Sequence, residues 1–442
     1  MSTGPITIFD KSMLQGLSLD EAVLFGQFYR CNLTPLFFVE TLADLEKRVR
    51  EGQTPEQVVG TIAAKTANLM LDPSVHHADL VIADLRGQRI SMDGRVHVAG
   101  GRVVRQGDRQ GVVFEQSQEM RAFNRWQKRQ FLEIEREMAR AWRENLQRQP
   151  LAKLPVTAIF GEQRPKDRRE VKQWAEAVVR REGGPAFLFA LNALEVPPQQ
   201  RGPIFARWLK EGTPPISRFA PYAAFVLTIQ VYFRLAVSLD LESHERASHS
   251  ADIAYLFYLP FCMMFTSSDK LHARTVPLFL RRDQQFVLGS EMKADLRRLD
   301  EHFSAQPPEI LERGVMYFEP PYEDDSYLAT RLWKQFLPGW QPGRGERGEI
   351  QMSPESERAL VAQFKEASEA PGAPASEVLR DPDDSDFLMV RRMVPVRMGK
   401  WRILPPEVEE SEKPRQTAPR AEPRPAATEP PTSQQEVVVT PS

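Results

Sequence analysis

Four acidic residues, each beside an apolar run, are the strongest candidates for chemistry in this sequence; they are Asp10, Glu40, Asp252 and Asp269. Clustered carboxylates repel one another. A hard divalent cation such as Mg²⁺ or Mn²⁺, which prefers oxygen ligands, offsets that repulsion. An ion held in this way generates hydroxide and stabilises an in-line displacement at phosphorus. These residue types would therefore support metal-dependent hydrolysis of a phosphodiester bond.

The elements around these residues predict an α/β fold that brings them together. Residues 5–10, PITIFD, form an apolar run typical of a buried strand that ends at Asp10, and residues 261–266 and 285–288 predict two further strands. The sequence also predicts helices at 18–30, 54–71, 116–147 and 355–368, and a basic edge strand at 390–403. Strands in an open parallel sheet share their carboxyl edge, and ligands bind there. We therefore expect Asp10 and Asp269 at one edge of the sheet, with Glu40 on a helix and Asp252 at a helix start facing the same crevice.

Three blocks of the sequence, TIFDKSMLQ at 7–15, TPLFFVETLADL at 34–45 and DIAYLFYLPFCMMFTSSDK at 252–270, resemble the acidic blocks of the PIN-like nuclease family. In that family an Asp ends the first strand, with a small polar residue two positions later, as Asp10 and Ser12 do here. A Ser or Thr precedes a helical Glu by six positions, as Thr34 and Glu40 do here.

The third block completes the resemblance. The family has a helix-start Asp followed, after a strand and a hydroxyl residue, by a second Asp; Asp252, Ser267 and Asp269 match this order. The resemblance implies a parallel sheet flanked by helices, Mg²⁺ or Mn²⁺ as cofactor, and cleavage of RNA. It also implies that Asp10, Glu40, Asp252 and Asp269 are the metal ligands and catalytic residues.

The resemblance covers about 5–50 and 225–300, so it predicts a PIN-like sheet split by a large, mainly helical insertion. The predicted layout is a first part at 1–50, an insertion at 51–224 with a β meander at about 86–115, a second part at 225–305, a partly ordered region at 306–404, and a disordered tail at 405–442. The tail is rich in Pro and Glu and almost without aromatic residues, a composition that cannot bury a core.

Each acidic residue also has an ordinary structural interpretation. Asp10 and Asp269 could belong to the turns that follow strands, Asp252 could be an N-cap, and Glu40 could be a solvated helix residue. Auxiliary candidates are Ser12 and Ser267, which could orient a ligand or a water molecule, and Asp44, one helical turn past Glu40. His76, His77, His244 and His249 have no spacing typical of a zinc motif.

A nucleic-acid surface would have to be local, because the formal net charge of the chain is only -2. The predicted meander carries Arg95, Arg102 and Arg105 with few acidic residues among them. Lys270 directly follows Asp269. These four residues are the predicted contacts to RNA or to single-stranded DNA.

Composition favours a cytoplasmic protein. Cys31 and Cys262 both lie in apolar surroundings and far apart in sequence, as buried free thiols in a reducing compartment do. The N-terminus has no pattern of a signal peptide. The apolar stretch at about 220–241 contains Gln230 and Arg234, which favours a buried core helix over a membrane span.

Three functions follow as hypotheses. The first is a metal-dependent nuclease, specifically a ribonuclease, whose activity a protein inhibitor could control. The second is a catalytically inactive PIN-like module that binds RNA or a protein partner. The third is a purely helical scaffold with an accidental acidic pattern, which requires that the predicted strands do not pair as one sheet.

Overall fold

The computed structural model describes residues 4–43, 45–66, 70–106, 109–114, 118–148, 163–242, 249–343 and 397–403. Its centre is one sheet of five parallel strands, in the order β3-β2-β1-β6-β7. These strands are β1 (Ile6–Phe9), β2 (Arg30–Leu33), β3 (Met70–Pro73), β6 (Met264–Ser267) and β7 (Gln285–Leu288). The predicted α/β class and the three predicted strands are confirmed, so the purely helical scaffold is wrong.

Helices cover both faces of this sheet. In chain order the helices are α1 (Lys11–Gly16), α2 (Leu19–Phe28), α3 (Pro35–Ala43), α4 (Leu45–Arg50), α5 (Pro55–Thr66), α6 (His77–Leu85), α7 (Gln118–Gln127), α8 (Glu133–Arg148), α9 (Arg168–Val179), α10 (Gly184–Ala193), α11 (Pro198–Lys210), α12 (Ile216–Phe219), α13 (Pro221–Ser238), α14 (His249–Ala254), α15 (Lys270–Phe279), α16 (Gly289–Ser304), α17 (Pro308–Glu312) and α18 (Leu328–Phe336). Short 3-10 helices occupy Tyr255–Phe261 and Val315–Tyr317.

Alternation along the central strands creates two separate hydrophobic cores. Successive side chains of a strand point to opposite faces of the sheet. Ile8 and Phe265 enter a core formed mainly by α6, by α9 to α15 and by the 3-10 helix Tyr255–Phe261. Phe9 and Met264 enter the other core, formed mainly by α1 to α5, α7, α8, α16 and α18. The sheet is thus the middle layer of a three-layer fold.

Two strands of the sheet were not predicted. The predicted helix at 18–30 ends at Phe28, and Arg30–Leu33 pairs with β1 as strand β2. The predicted helix at 54–71 ends at Thr66, and Met70–Pro73 pairs with β2 as strand β3. Both strands have only four residues, and pairing with neighbours decides their conformation more than local preference does. The sheet therefore extends into the segment that the sequence analysis assigned to the insertion.

Other local differences have identifiable causes. The predicted helix at 116–147 is broken between α7 and α8, where Arg129 has a positive φ of 56°. Of the predicted meander at 86–115, the structure has one antiparallel hairpin, β4 (Gly101–Gln106) with β5 (Arg109–Phe114). A second hairpin, β8 (Arg397–Met398) with β9 (Trp401–Arg402), occupies the end of the predicted strand at 390–403. The predicted helix at 355–368 and the predicted disordered tail lie outside the described residues.

Helix α13 is the predicted core helix. It is long and apolar enough to cross a membrane by length and composition alone, but most of its apolar window is buried inside the fold. It packs against α6, α9 and α12. The amides of Tyr222 and Ala223 at its start donate to the carboxylate of Asp84, at 2.9 Å for Ala223. These contacts confirm that it is a core element of this fold.

Candidate functional site

The predicted acidic edge coincides with the topological switch point of the sheet. The strands that follow β1 in the chain, β2 and β3, lie on one side of it, whereas β6 and β7 lie on the other. Ligands of open α/β sheets bind at the carboxyl ends of strands where the order reverses in this way. Asp10 directly follows β1 and Asp269 follows β6, so these two predicted residues lie at that edge.

Asp10 is held rigidly at the end of β1. It is only 3% exposed and accepts hydrogen bonds from the amide of Met13 at 2.9 Å, from Ser12 Oγ at 2.8 Å and from Ser267 Oγ at 2.6 Å. Burial alone would raise the pKa of Asp10, but the hydrogen bond and charge of His272, with the bonds from Ser267 and Met13, hold it below its usual value. Asp10 is therefore an ionised carboxylate with a fixed orientation.

His272 on α15 lies beneath the acidic edge, with no exposed surface. Its Nδ1 is 2.8 Å from Ser267 Oγ and 3.3 Å from Asp10 Oδ2, and its Nε2 is 2.7 Å from the main-chain carbonyl of Asp252. Burial lowers the pKa of His272, but the hydrogen bond and charge of Asp10 and the carbonyl and charge of Asp252 outweigh burial and raise it to about 9. The imidazole is therefore a buried cation at neutral pH.

Glu40 reaches the same region from α3. Its Oε2 accepts a hydrogen bond from the phenol of Tyr255 at 2.8 Å and one from the amide of Lys11 at 3.3 Å. Burial raises the pKa of Glu40 to about 7, and the charge of Asp10 acts in the same direction. The charge of Lys11 lowers this pKa but does not outweigh burial. Glu40 is thus poised between its neutral and ionised forms near neutral pH.

Of the four carboxylates, that of Asp252 has the fewest hydrogen bonds among the described residues. It is the fourth residue of α14, so it does not occupy the N-cap position that the structural interpretation assigned to it. Burial raises its pKa to about 7, the charge of His272 lowers it, and the charges of Glu40, Asp269 and Asp10 raise it further. Among the residues that the structure describes, no hydrogen bond to the Asp252 carboxylate is found.

Asp269 combines a structural role with a place at the edge. It is the N-cap of α15 and accepts a hydrogen bond from the amide of Leu271. Its own amide donates to Ser267 Oγ at 2.9 Å. The turn interpretation of Asp269 is therefore supported by the geometry, while its charge still acts on Asp252.

Asp252 is under the influence of the other three carboxylates, but the four do not form a ready-made metal cage in the described part of the chain. Asp252 senses the charges of Glu40, Asp269 and Asp10, which places all four around one region. No group of three or more His, Cys, Asp or Glu side chains in the described ranges is arranged to hold a metal ion. The donor chemistry fits Mg²⁺ or Mn²⁺, because it is all oxygen and includes the carboxylate of Asp252, which no described residue hydrogen-bonds.

The auxiliary residues divide into two groups. Ser12 and Ser267 both donate to Asp10, so they orient a carboxylate; Ser12 also accepts a hydrogen bond of 3.3 Å from the amide of Ser268. Asp44 lies outside the described residues.

The predicted nucleic-acid contacts are placed unevenly. Lys270 is exposed and follows Asp269 at the acidic edge. Arg95 is exposed and follows Gly94, whose amide donates to the carbonyl of Pro260 at 2.9 Å, just before β6 and thus at the opposite end of the sheet. Arg102 and Arg105 belong to β4, and their side chains lie outside the described part of the structure.

Three residues that contact the acidic side chains were not predicted from the sequence: Lys11, Tyr255 and His272. Lys11 is 2% exposed and its Nζ donates to the main-chain carbonyl of Glu40 at 3.2 Å. Two of the three carried a readable signal: Lys11 adjoins Asp10, and His272 lies on the first turn of the helix that Asp269 caps. Tyr255 carried none, since its contact with Glu40 depends on how α3 meets the 3-10 helix.

Two surface grooves lie away from the acidic edge. One of about 460 Å³ is lined in part by Asp79, Arg86 and Gln200. The other, of about 510 Å³, is lined in part by Arg89 and Arg207. Neither groove includes any of the four carboxylates.

Comparisons with protein-family models, with curated proteins and with solved structures find no match for this chain.

Proposed function

We propose that this chain is a PIN-like, metal-dependent nuclease that hydrolyses phosphodiester bonds in RNA, with single-stranded DNA as a further substrate. Asp10, Glu40, Asp252 and Asp269 are the proposed ligands of Mg²⁺ or Mn²⁺. One observation carries the proposal: at the switch point Asp252 lies under the charges of Asp10, Glu40 and Asp269, and its carboxylate is half-buried without a hydrogen-bond partner among the described residues.

In the proposed site one carboxylate is permanently ionised, and two others change their charge near neutral pH. When bound, the divalent ion would supply a hydroxide nucleophile and stabilise charge on the phosphate. Asp10 is already ionised and oriented, so it is the anchor of the site. Glu40 and Asp252, each with a pKa raised by burial to about 7, would lose their protons as positive charge arrives. Lys270, exposed beside Asp269, would be the contact to a phosphate.

The split-domain layout is part of this proposal in a modified form. Because β3 belongs to the sheet, the first part of the PIN-like domain would extend at least to Pro73. The second part would contain β6 and β7. The helices between these parts would then be an insertion that packs on both faces of the sheet, with α7 and α8 on one face and α9 to α13 on the other, and that shapes access to the crevice.

The direct test is incubation of the full chain with labelled RNA and with single-stranded DNA, in Mn²⁺, in Mg²⁺ or in EDTA. We expect cleavage with either ion, none in EDTA, and none with Asp252→Asn. The matched control is Asp283→Asn, an exposed aspartate paired with Arg281 away from the site, which should cleave normally. Equal cleavage by Asp252→Asn and by the wild type would contradict the proposed site.

A second function is favoured by the same geometry. Both oxygens of Asp10 already accept hydrogen bonds within the protein, and the described residues contain no preassembled metal group. These features favour a PIN-like module that binds RNA or a protein partner without cleaving it. Retained RNA binding with no cleavage in either ion would support this alternative.

A further inference from the structure

His272 stands at the junction of three separate segments of the proposed site. It lies on the first turn of α15, next to Ser267 at the end of β6 and to Asp10 at the end of β1. On its other side it meets the main chain of α14 at Asp252. A single side chain thus joins Asp10 to the main chain of α14.

Both ring nitrogens of His272 are engaged, which fixes the orientation of the ring. Nδ1 faces Ser267 Oγ at 2.8 Å and Asp10 Oδ2 at 3.3 Å, and Nε2 faces the Asp252 carbonyl at 2.7 Å. The edge of Phe265 and that of Tyr255 pack against the ring, with centroids 5.0 Å and 5.8 Å away. Because these contacts restrict the imidazole ring, they also fix the positions of its hydrogen-bond partners.

We infer that His272 is a positioning residue of the proposed metal site: it fixes the distance between Asp10 and Asp252 by joining the Asp10 carboxylate, through Nδ1, to the α14 main chain, through Nε2. The inference rests on the proposed function. It deepens that function by assigning a role to a residue that is not itself a ligand. Partners beyond the first ligands orient those ligands, and their loss typically costs about 10- to 100-fold in metal affinity.

The two halves of the imidazole can be tested separately. In His272→Asn the amide nitrogen falls near the position of Nδ1, so the link to Ser267 and Asp10 is kept and the link to the Asp252 carbonyl is lost. In His272→Gln the amide reaches the position of Nε2, so the opposite link is kept. His272→Leu removes both links.

The matched control is Thr275→Ala on the same helix. Thr275 is fully buried, and its hydroxyl donates to the Leu271 carbonyl at 2.7 Å without touching the site. Its loss lowers stability through α15 alone. Comparison with this variant separates a positioning role from a general loosening of the helix.

The measurement is Mn²⁺ affinity by calorimetry, with the metal-free melting temperature of each variant beside it. We expect the Asn and Gln variants each to bind Mn²⁺ about tenfold more weakly than the wild type, and the Leu variant more weakly still. Thr275→Ala should bind as the wild type does, although its melting temperature falls. Unchanged Mn²⁺ affinity in all three His272 variants would overturn the inference alone. Absence of Mn²⁺ binding by the wild type would overturn the proposed function and, with it, this inference.

Discussion

The phenol of Tyr255 donates a hydrogen bond of 2.8 Å to Oε2 of Glu40, across 215 residues of chain. Tyr255 is fully buried, and burial raises its pKa well above the usual value, so the phenol remains a donor at any physiological pH. The bond favours the ionised form of Glu40 and opposes the effect of burial on that carboxylate. Tyr255 therefore adjusts the charge of the site without being one of its acidic residues.

Replacing Tyr255 by Phe should weaken metal binding through Glu40. The loss of the donor raises the pKa of Glu40 further, so a higher pH is needed to ionise it. We expect a free energy of unfolding lower by about 1 kcal/mol, as for a typical buried hydrogen bond. We also expect the pH midpoint of Mn²⁺ binding to move upward. Both quantities can be measured by thermal shift across pH.

Tyr258→Phe is the matched control for this change. Tyr258 is equally buried on the same 3-10 helix, but its hydroxyl accepts from the amide of His77 at 3.0 Å, away from Glu40. It should lose a similar amount of stability and leave the pH midpoint of Mn²⁺ binding unchanged. Equal shifts of that midpoint in both variants would contradict the role of Tyr255.

Glu40 and Asp252 should contribute stability to the metal-free protein that is lost as the pH rises from about 5 to 8. Burial raises the pKa values of both carboxylates to about 7, so in this window they bind more protons in the folded state than in the unfolded chain. Their contribution to the free energy of unfolding therefore falls with rising pH. His272 acts in the same direction. Its pKa is raised to about 9, so its stabilising charge is present below pH 6.5 and is lost as the pH rises through 9.

Chemical denaturation in EDTA at several pH values measures this slope. A double variant, Glu40→Gln with Asp252→Asn, should flatten the part of the slope between about pH 4.5 and 7 and retain the part attributed to His272. Equal pH slopes of the wild type and the double variant between about pH 4.5 and 7 would show that the two carboxylates are not buried acids in solution.

Amide substitutions should have opposite effects on stability at Asp10 and at Asp252. Asp252 has a raised pKa, and no hydrogen bond to its carboxylate is found in the described ranges, so Asp252→Asn should raise the metal-free melting temperature at pH 8. Asp10 is the counter-ion of the buried His272, so Asp10→Asn leaves that charge unpaired and should cost about 3 kcal/mol. Differential scanning calorimetry of both variants in EDTA gives the comparison.

The same variants also test the metal site. Added Mn²⁺ should stabilise the wild type by linkage and should stabilise both variants less. If Asp10 were only a helix cap, its variant would lose about 1 kcal/mol and gain as much from Mn²⁺ as the wild type does.

Removal of the hairpin β8–β9 from the chain should lower its stability, whereas removal of the residues after it should not. Trp401 is 5% exposed and packs edge-on against Phe318, with ring centroids 5.6 Å apart. The amide of Lys400 donates to Asp20 Oδ1 at 2.9 Å. Ending the chain at Ile403 should leave the melting temperature nearly unchanged. Ending it at residue 396 should cost about 2 kcal/mol or more, because a tryptophan is no longer buried. Equal melting temperatures for the two truncations would show that the hairpin does not dock.

The sequence predicts the acidic edge better than it predicts the sheet around it. Asp10 ends the run PITIFD, and Asp269 follows a second apolar run, so strand geometry alone brings them to one edge. Strand β2 is not predictable in this way because it includes Arg30 and Asn32. The buried side-chain amide of Asn32 donates from Nδ2 to the carbonyl of Phe261 at 3.2 Å. This contact exists only in the assembled fold.

The supporting residues of the site are hidden from the sequence for the same reason. Tyr255 lies in a run of buried aromatic residues, and local pattern gives it no more importance than Phe257. Its role follows from the approach of the 3-10 helix to α3. The acidic residues can be recognised by type and order, whereas the groups that set their charge are recognisable only by position.

The central place of β1 also has a consequence for how the chain is made. β1 is synthesised well before its partner β6, since Ser267 at the end of β6 lies 257 positions after Asp10. At about 5–20 residues per second, a ribosome needs on the order of ten seconds or more to cover that distance. During this interval one edge of β1 lacks its neighbour, and long-range closure of this kind slows folding. The nascent chain therefore holds an open, apolar strand edge until β6 emerges, and the acidic edge cannot assemble before then.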